Sequence, residues 1–172
     1  MLLAAEPASL ADGDWTCLID AVVMGRVAVV GPLHKRDGLA LRALRNRGLD
    51  VQLHYGIGNW MGCYHWIPAS DLFAGLPSGG LGGEVYADVL PWYGLSELGG
   101  EVLAGSLRNT QTRREPSAIL WYSDVEAVRL GKGTLILCQY RLFEPAGTNP
   151  LAARLVYNLI HLAQAYQHPL TS

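Results

Sequence analysis

Apolar residues near the start of the chain recur at helical spacing. They follow the i, i+3, i+4, i+7, i+8 pattern of one buried helix face: Trp15, Leu18, Ile19, Val22 and Val23. Asp12 or Asp14 would cap this helix at its start, and Gly25 would end it. The apolar run from Arg26 to Val30 then predicts a short strand before the break at Gly31.

The next segment again predicts a helix followed by a strand. A second helix is predicted from about Asp37 to Arg47, with Gly48 as its C-terminal stop. A strand from Asp50 to Tyr55 follows it. Helix, strand, helix, strand is the order typical of an α/β domain.

The end of the chain carries the strongest pattern. Thr134 to Cys138 is apolar without polar alternation, which predicts a strand buried on both faces, as in a parallel sheet. Asn149 is placed to cap a final helix, and Pro150 suits its first position. The buried stripe of that helix would be Leu151, Leu155, Leu159, Leu162 and Tyr166.

The middle of the chain is less regular. Gly56 to Pro68 is dense in glycine and aromatic residues and is predicted to be a loop. Glu84 to Leu90 is predicted to be a strand. Glu101 to Leu107 and Ser117 to Tyr122 would form an antiparallel pair around a polar turn. With no repeat or linker, residues 1–172 are interpreted as one three-layer α/β domain whose mainly parallel sheet has an antiparallel extension.

Composition excludes several classes of function. Half of the 172 residues are apolar and the net charge is −2, with only two lysines, so nucleic acid is not expected as a partner. No apolar run approaches the length of a membrane span, and no signal peptide is apparent. We therefore expect a soluble protein without a membrane partner, cytoplasmic if the chain stands alone and otherwise of unknown location.

Metal and cofactor sites are not indicated. The five histidines lack ligand spacing, and the three cysteines show no CxxC motif. Cys17 and Cys138 are predicted to be small core residues. The glycines from Gly56 to Gly62 precede bulky residues and a proline rather than a helix, which argues against a dinucleotide loop. No cofactor is predicted.

Nucleophilic catalysis has one weak candidate. The strand-to-helix elbow motifs of hydrolases are absent. Cys63 and His65 are two residues apart, so on a strand they would face the same way and could form a thiol–base pair. No third residue that would orient the histidine is evident in the sequence.

A ligand or interface site is predicted at the carboxyl edge of the sheet, where ligands bind in open α/β folds. If the loop after Tyr55 and the segment after Cys138 are neighbours, one concave surface would hold Asn59, Trp60, Tyr64, His65, Gln139 and Arg141. Arg141 could receive a carboxylate or a sugar hydroxyl beside the aromatic rings, or it could pair with Glu144 and pin the loop.

Three segments together resemble a known domain. They are Trp66 to Leu81, which contains Asp71-Leu-Phe-Ala-Gly-Leu-Pro77, then Tyr86 to Pro91, and Gly131 to Asn158. They are similar to a C-terminal accessory domain of bacterial glycoside hydrolases of the family 2, β-galactosidase-like type. Ser-Asp stands where that signature has His-Pro. The resemblance covers about residues 12 to 165 and implies a flavodoxin-like fold of the class I glutamine amidotransferase-like kind, without the amidotransferase nucleophile.

This resemblance implies a non-catalytic role as an accessory or assembly domain of a carbohydrate-active enzyme. Its partners would be the other domains of that enzyme or a second copy of the chain, and a carbohydrate is a further candidate ligand. Two alternatives stay open: a small amidotransferase-like hydrolase that uses Cys63 and His65, and a carbohydrate-binding module that uses the loop from Trp60 to Trp66.

Overall fold

The computed structural model describes residues 1–56, 63–109 and 119–167. Within these ranges one sheet is flanked by helices. Its strands are β1 (Leu2–Ala4), β2 (Val27–Val30), β3 (Leu53–Tyr55), β4 (Cys63–Ile67), β5 (Gly80–Leu81), β6 (Tyr93–Leu95), β7 (Glu101–Asn109), β8 (Ile119–Leu130) and β9 (Gly133–Cys138). The α-helices are α1 (Asp12–Val23), α2 (Gly38–Arg45) and α3 (Pro150–Gln167).

The sheet is mixed, with strand order β1-β2-β9-β8-β7-β4-β5. Among the described strands, only the pairs β1/β2 and β2/β9 are parallel. All the others, including β3/β6 and the contact of β6 with β8, are antiparallel. The prediction of a mainly parallel sheet is therefore wrong. Short connections join β7, β8 and β9 in sequence, and such connections favour antiparallel neighbours.

Helices cover both faces of the parallel part of the sheet. The side chains of Leu135 and Leu137 belong to the core beneath α1 and α2, whereas Ile136 and Cys138 belong to the core beneath α3. Successive residues of β9 thus enter opposite cores, which is why this strand carries no polar alternation. Within the described ranges, no helix combines the length and hydropathy needed to cross a bilayer.

The patterns at the two ends of the chain are confirmed. Every residue of β9 is buried. The side chain of Asn149 caps α3, because its Oδ1 accepts hydrogen bonds from the backbone N–H groups of Leu151 at 2.9 Å and Ala152 at 3.1 Å. In α1, the predicted face buries Trp15 and its neighbours at helical spacing.

Two local predictions in these regions are wrong. Cys17 is exposed, because it lies about 200° around α1 from the buried Trp15. The segment predicted as a strand from Glu84 to Leu90 contains a 3-10 turn at Glu84–Tyr86 instead. Its buried residues are Tyr86, Val89 and Leu90, which is helical spacing rather than strand alternation.

The middle of the chain differs as well. The second half of the predicted loop at residues 56–68 is strand β4, whose alternating burial continues the sheet. Arg108, predicted to lie in a polar turn, belongs to β7 and is buried. The antiparallel pairing of β7 with β8 is confirmed for the described residues, although β8 extends to Leu130.

The central position of β9 predicts a strong effect of charge at Leu137. Leu137→Asp buries an unpaired carboxylate, which costs about 3 kcal/mol or more, and we expect the variant to fail to fold. The matched control is Leu39→Asp, because Leu39 is exposed in the first turn of α2, where a carboxylate is tolerated. Thermal melting followed by circular dichroism checks both. A cooperative transition in Leu137→Asp at the wild-type temperature would contradict the buried position of β9.

Candidate functional site

A chain of hydrogen bonds runs through the buried side of β4 and β8. Cys63 Sγ lies 3.3 Å from His65 Nε2, and His65 Nδ1 lies 2.6 Å from Asp124 Oδ2. Cys63 is 1% exposed, and both His65 and Asp124 are fully buried. The order thiol, imidazole, carboxylate is that of a nucleophile, a base and an orienting acid.

Arg108 completes this buried cluster from β7. Its Nη2 donates to Asp124 Oδ1 at 2.9 Å, and its Nε donates to Ser106 Oγ at 2.8 Å. The Ser106 hydroxyl in turn donates to Asp124 Oδ1 at 2.8 Å. Asp124 is therefore matched by a charged partner and by two further donors, as a buried carboxylate requires. We call Cys63, His65, Ser106, Arg108 and Asp124 the polar hub.

The remaining guanidinium nitrogen of Arg108 connects the hub to the backbone of β3 and of the residues next to β3 and β6, two strands that pair with each other. Its Nη1 donates to the backbone oxygens of Trp92 at 3.2 Å, Gly56 at 3.3 Å and His54 at 3.5 Å. A Cβ at Gly94 would lie 2.6 Å from Arg108 Nε and 2.7 Å from the Tyr122 Cβ. Only glycine therefore leaves room for the arginine to pass β6.

The hub controls the protonation of its histidine. Burial disfavours the imidazolium, but hydrogen bonds to Asp124 and Cys63 outweigh burial and raise the pKa of His65 to about 9. At neutral pH His65 therefore carries a proton and faces the Asp124 carboxylate as a cation. A protonated imidazole is an ion-pair partner for a neighbouring thiolate rather than a free base for a thiol.

Part of this cluster was visible in the sequence. The Cys63 and His65 pair was predicted from its spacing, whereas the third group, Asp124, comes from a strand 59 residues later than His65. The sequence prediction omits Ser106, although that residue lies in the predicted strand, and it places Arg108 in the turn that follows. The available signal was the presence of Asp124 and Glu126 inside a largely apolar strand, which marks buried polar partners.

The opposite side of the same strands is apolar and exposed. Tyr64 on β4 pairs with Leu107 on β7, and Leu107 pairs with Trp121 on β8. A Cβ at Gly105 would lie 2.2 Å from the ring of Trp121, so the indole lies directly over that glycine. We call this surface the aromatic face; its large exposed side chains are Tyr64, Trp66, Leu107, Ile119 and Trp121.

A second feature, a crevice of about 1030 Å³, lies beyond the carboxyl ends of the three strands that pair in parallel. Arg141 lines it, and its guanidinium donates to the backbone oxygens of Leu90 at 2.9 Å and Ala87 at 3.0 Å. The same group lies 4.8 Å from the ring centroid of Trp92. Burial lowers the pKa of Arg141, and the charges of Asp88 and Glu144 act against that shift.

The structure does not bring the predicted carboxyl-edge residues into one crevice. Arg141 lines the crevice, but Gln139 is buried and accepts a hydrogen bond from the backbone of Leu33 through its side-chain oxygen. Tyr64 lies on the aromatic face and His65 in the polar hub. Asn59 and Trp60 lie outside the described residues. The separation follows from the strand order, since β8 and β7 stand between β9 and β4.

Known proteins offer little similarity to this chain. No protein-family model matches it, and no curated protein matches it. Among solved structures it is similar to the cold-adapted β-galactosidase from Rahnella sp. R3, with a TM-score of 0.46 and 12% sequence identity. The likeness covers 88% of this chain and 21% of that chain, so this chain spans about a fifth of that enzyme. Neither a family nor an activity is established at this level of similarity.

The raised pKa of His65 predicts a pH dependence of stability. The pKa of His65 is about 9 in the folded state and about 6.5 in the unfolded state, so protonation of His65 stabilises the folded state. This stabilisation is complete below pH 6.5. This contribution is lost as pH rises through 9. We expect the free energy of unfolding to fall by roughly 3 kcal/mol over that window, measured by urea denaturation.

His65→Gln should remove most of this dependence, because it removes the titrating group. His161→Gln is the matched control, since His161 is exposed on α3 and should leave the dependence unchanged. Equal pH dependence in wild type and a folded His65→Gln variant would show that His65 is not the group responsible.

Proposed function

We propose that this chain is a non-catalytic accessory domain of a carbohydrate-active enzyme, and that it joins two copies of its parent through the aromatic face. The observation that carries the proposal is the row Tyr64, Leu107 and Trp121 across three adjacent strands. Each of these side chains is between 40% and 49% exposed. A contiguous apolar surface of this kind on a sheet favours a protein partner.

The chemistry of the face favours a second copy as that partner. Its outward side chains carry no charge, so two identical faces can meet around a two-fold axis without like-charge repulsion. Tryptophan and tyrosine are also the residues that dominate the binding energy of protein interfaces. A face that recognised a distinct charged partner would need complementary charges, which these positions lack.

The sealed polar hub supports a non-catalytic role. Cys63 and His65 are the sequence's only thiol–base candidate, yet neither side chain is open to a substrate. The class of the parent enzyme rests on the sequence resemblance of residues 66–81, 86–91 and 131–158 to glycoside hydrolase accessory domains.

Self-association is the first test. We expect the purified chain to form a dimer in sedimentation velocity, and Leu107→Lys to weaken that dimer at least about tenfold because it places a charge at the centre of the face. Met24→Lys is the matched control, since Met24 is an exposed apolar residue at the end of α1. It should leave the dimer intact.

Two outcomes would contradict the proposal: a monomer at every concentration, or equal weakening by both lysine substitutions. A monomeric chain that bound sugars, and lost that binding in Trp66→Ala, would instead favour the carbohydrate-binding alternative. A folded state must be established for each variant by circular dichroism, because Leu107 lies in the central part of the sheet.

Catalysis is the second test. The isolated chain should not turn over chromogenic glycosides, esters or glutamine, because the thiol and the imidazole are enclosed. Release of chromophore or ammonia above the buffer rate is the measurement. Turnover that disappears in Cys63→Ala but persists in Cys17→Ala would favour the amidotransferase-like hydrolase instead.

A further inference from the structure

The polar hub places one thiol in an environment that the other described cysteines lack. Cys63 Sγ lies 3.3 Å from His65 Nε2, and the far nitrogen of that ring is fixed by Asp124 at 2.6 Å. A protonated imidazole stabilises negative charge on a neighbouring sulfur, and it can also donate its proton to a departing group. Arg108 balances the charge of Asp124 on the other side.

Access to the sulfur is narrow. Cys63 is 1% exposed, but its sulfur lies beneath Gly56, which is only half-buried. A Cβ at Gly56 would lie 3.4 Å from Cys63 Sγ and 3.0 Å from Arg108 Nη1. Because Gly56 has no side chain, this residue covers the thiol with its backbone alone. A side chain that is 1% exposed leaves no room for an ester, an amide or a sugar, so we infer a reagent no larger than hydrogen peroxide.

We propose that Cys63 is a site of oxidation by hydrogen peroxide, with His65 as the proton donor. The step starts from the ion-paired form of Cys63 and His65, in which the imidazole holds the proton of the thiol. The sulfur attacks one peroxide oxygen, so an S–O bond forms while the O–O bond breaks. The departing hydroxide takes the proton from His65 Nε2 and leaves as water. The sulfur is oxidised to a sulfenic acid, the peroxide is reduced, and His65 becomes neutral.

Asp124 is a positioning residue in this step. Its carboxylate holds the imidazole so that Nε2 faces the sulfur, and Arg108 and Ser106 hold the carboxylate. This inference is independent of the proposed assembly role, since the hub and the aromatic face lie on opposite sides of the same strands.

The other two cysteines, Cys17 and Cys138, are internal controls for the oxidation of Cys63. Cys17 is exposed on α1, so exposure alone would make it the faster thiol. Cys138 is buried like Cys63, but burial raises its pKa to about 12 and disfavours its thiolate. Oxidation governed by access would therefore favour Cys17, whereas oxidation governed by the imidazole would favour Cys63.

The experiment treats the reduced wild-type chain with hydrogen peroxide at pH 7, removes the peroxide with catalase, and then unfolds the chain in the presence of dimedone. Peptide mass spectrometry gives the rate of labelling at each cysteine. We expect Cys63 to be labelled at least about tenfold faster than Cys17 or Cys138. Labelling of Cys17 at an equal or greater rate would overturn the proposal.

Substitutions distinguish the effect of the His65 imidazole from the effect of peroxide access to the Cys63 sulfur. His65→Gln should abolish the preference for Cys63, while His161→Gln should retain it. Gly56→Ala, which adds a methyl group over the sulfur, should slow the oxidation of Cys63 several-fold without changing that of Cys17. A folded His65→Gln variant with unchanged Cys63 oxidation would overturn the role of the imidazole, and the wild-type ratio tests the proposal even if that variant does not fold.

Discussion

The buried ion pair between Arg108 and Asp124 is the interaction on which the arrangement of the central strands depends. A carboxylate without water must be matched by charge and by donors, and here β8 supplies the carboxylate while side chains of β4 and β7 match it. The same guanidinium fixes the backbone before β6 and after β3. Loss of the carboxylate would leave the guanidinium and the imidazolium buried without a counter-charge, so these strands and the β3/β6 pair are positioned together.

Strand alternation links this interior to the exposed surface. Because successive side chains face opposite sides of a sheet, the register that brings His65 and Ser106 together inside also brings Tyr64 and Leu107 together outside. A slip of one residue would move charged groups to the surface and aromatic rings into the hub. The polar hub therefore specifies the geometry of the aromatic face, although no side chain of one needs to contact the other.

The sequence predicted the parts of the fold that depend on local pattern. The all-buried β9 and the Asn149 cap of α3 follow from apolar runs and capping chemistry within a few residues. The strand order did not follow, because alternation does not say which strands are neighbours. For that reason the crevice was predicted with Tyr64 and His65, which β7 and β8 separate from β9. Asp124 was missed as the third member of the hub, since partners on distant strands leave no spacing to recognise.

The parallel part of the sheet has a consequence for synthesis on the ribosome. Val27 to Val30 pair with residues Thr134 to Leu137, which are made only after every other strand of the sheet. Until β9 emerges, one edge of β2 and the apolar sides of α1 and α2 lack their permanent cover. The β7 and β8 hairpin, whose contacts are local, is complete earlier. The amino-terminal third of the chain is thus the part that depends on protection from premature association while translation continues.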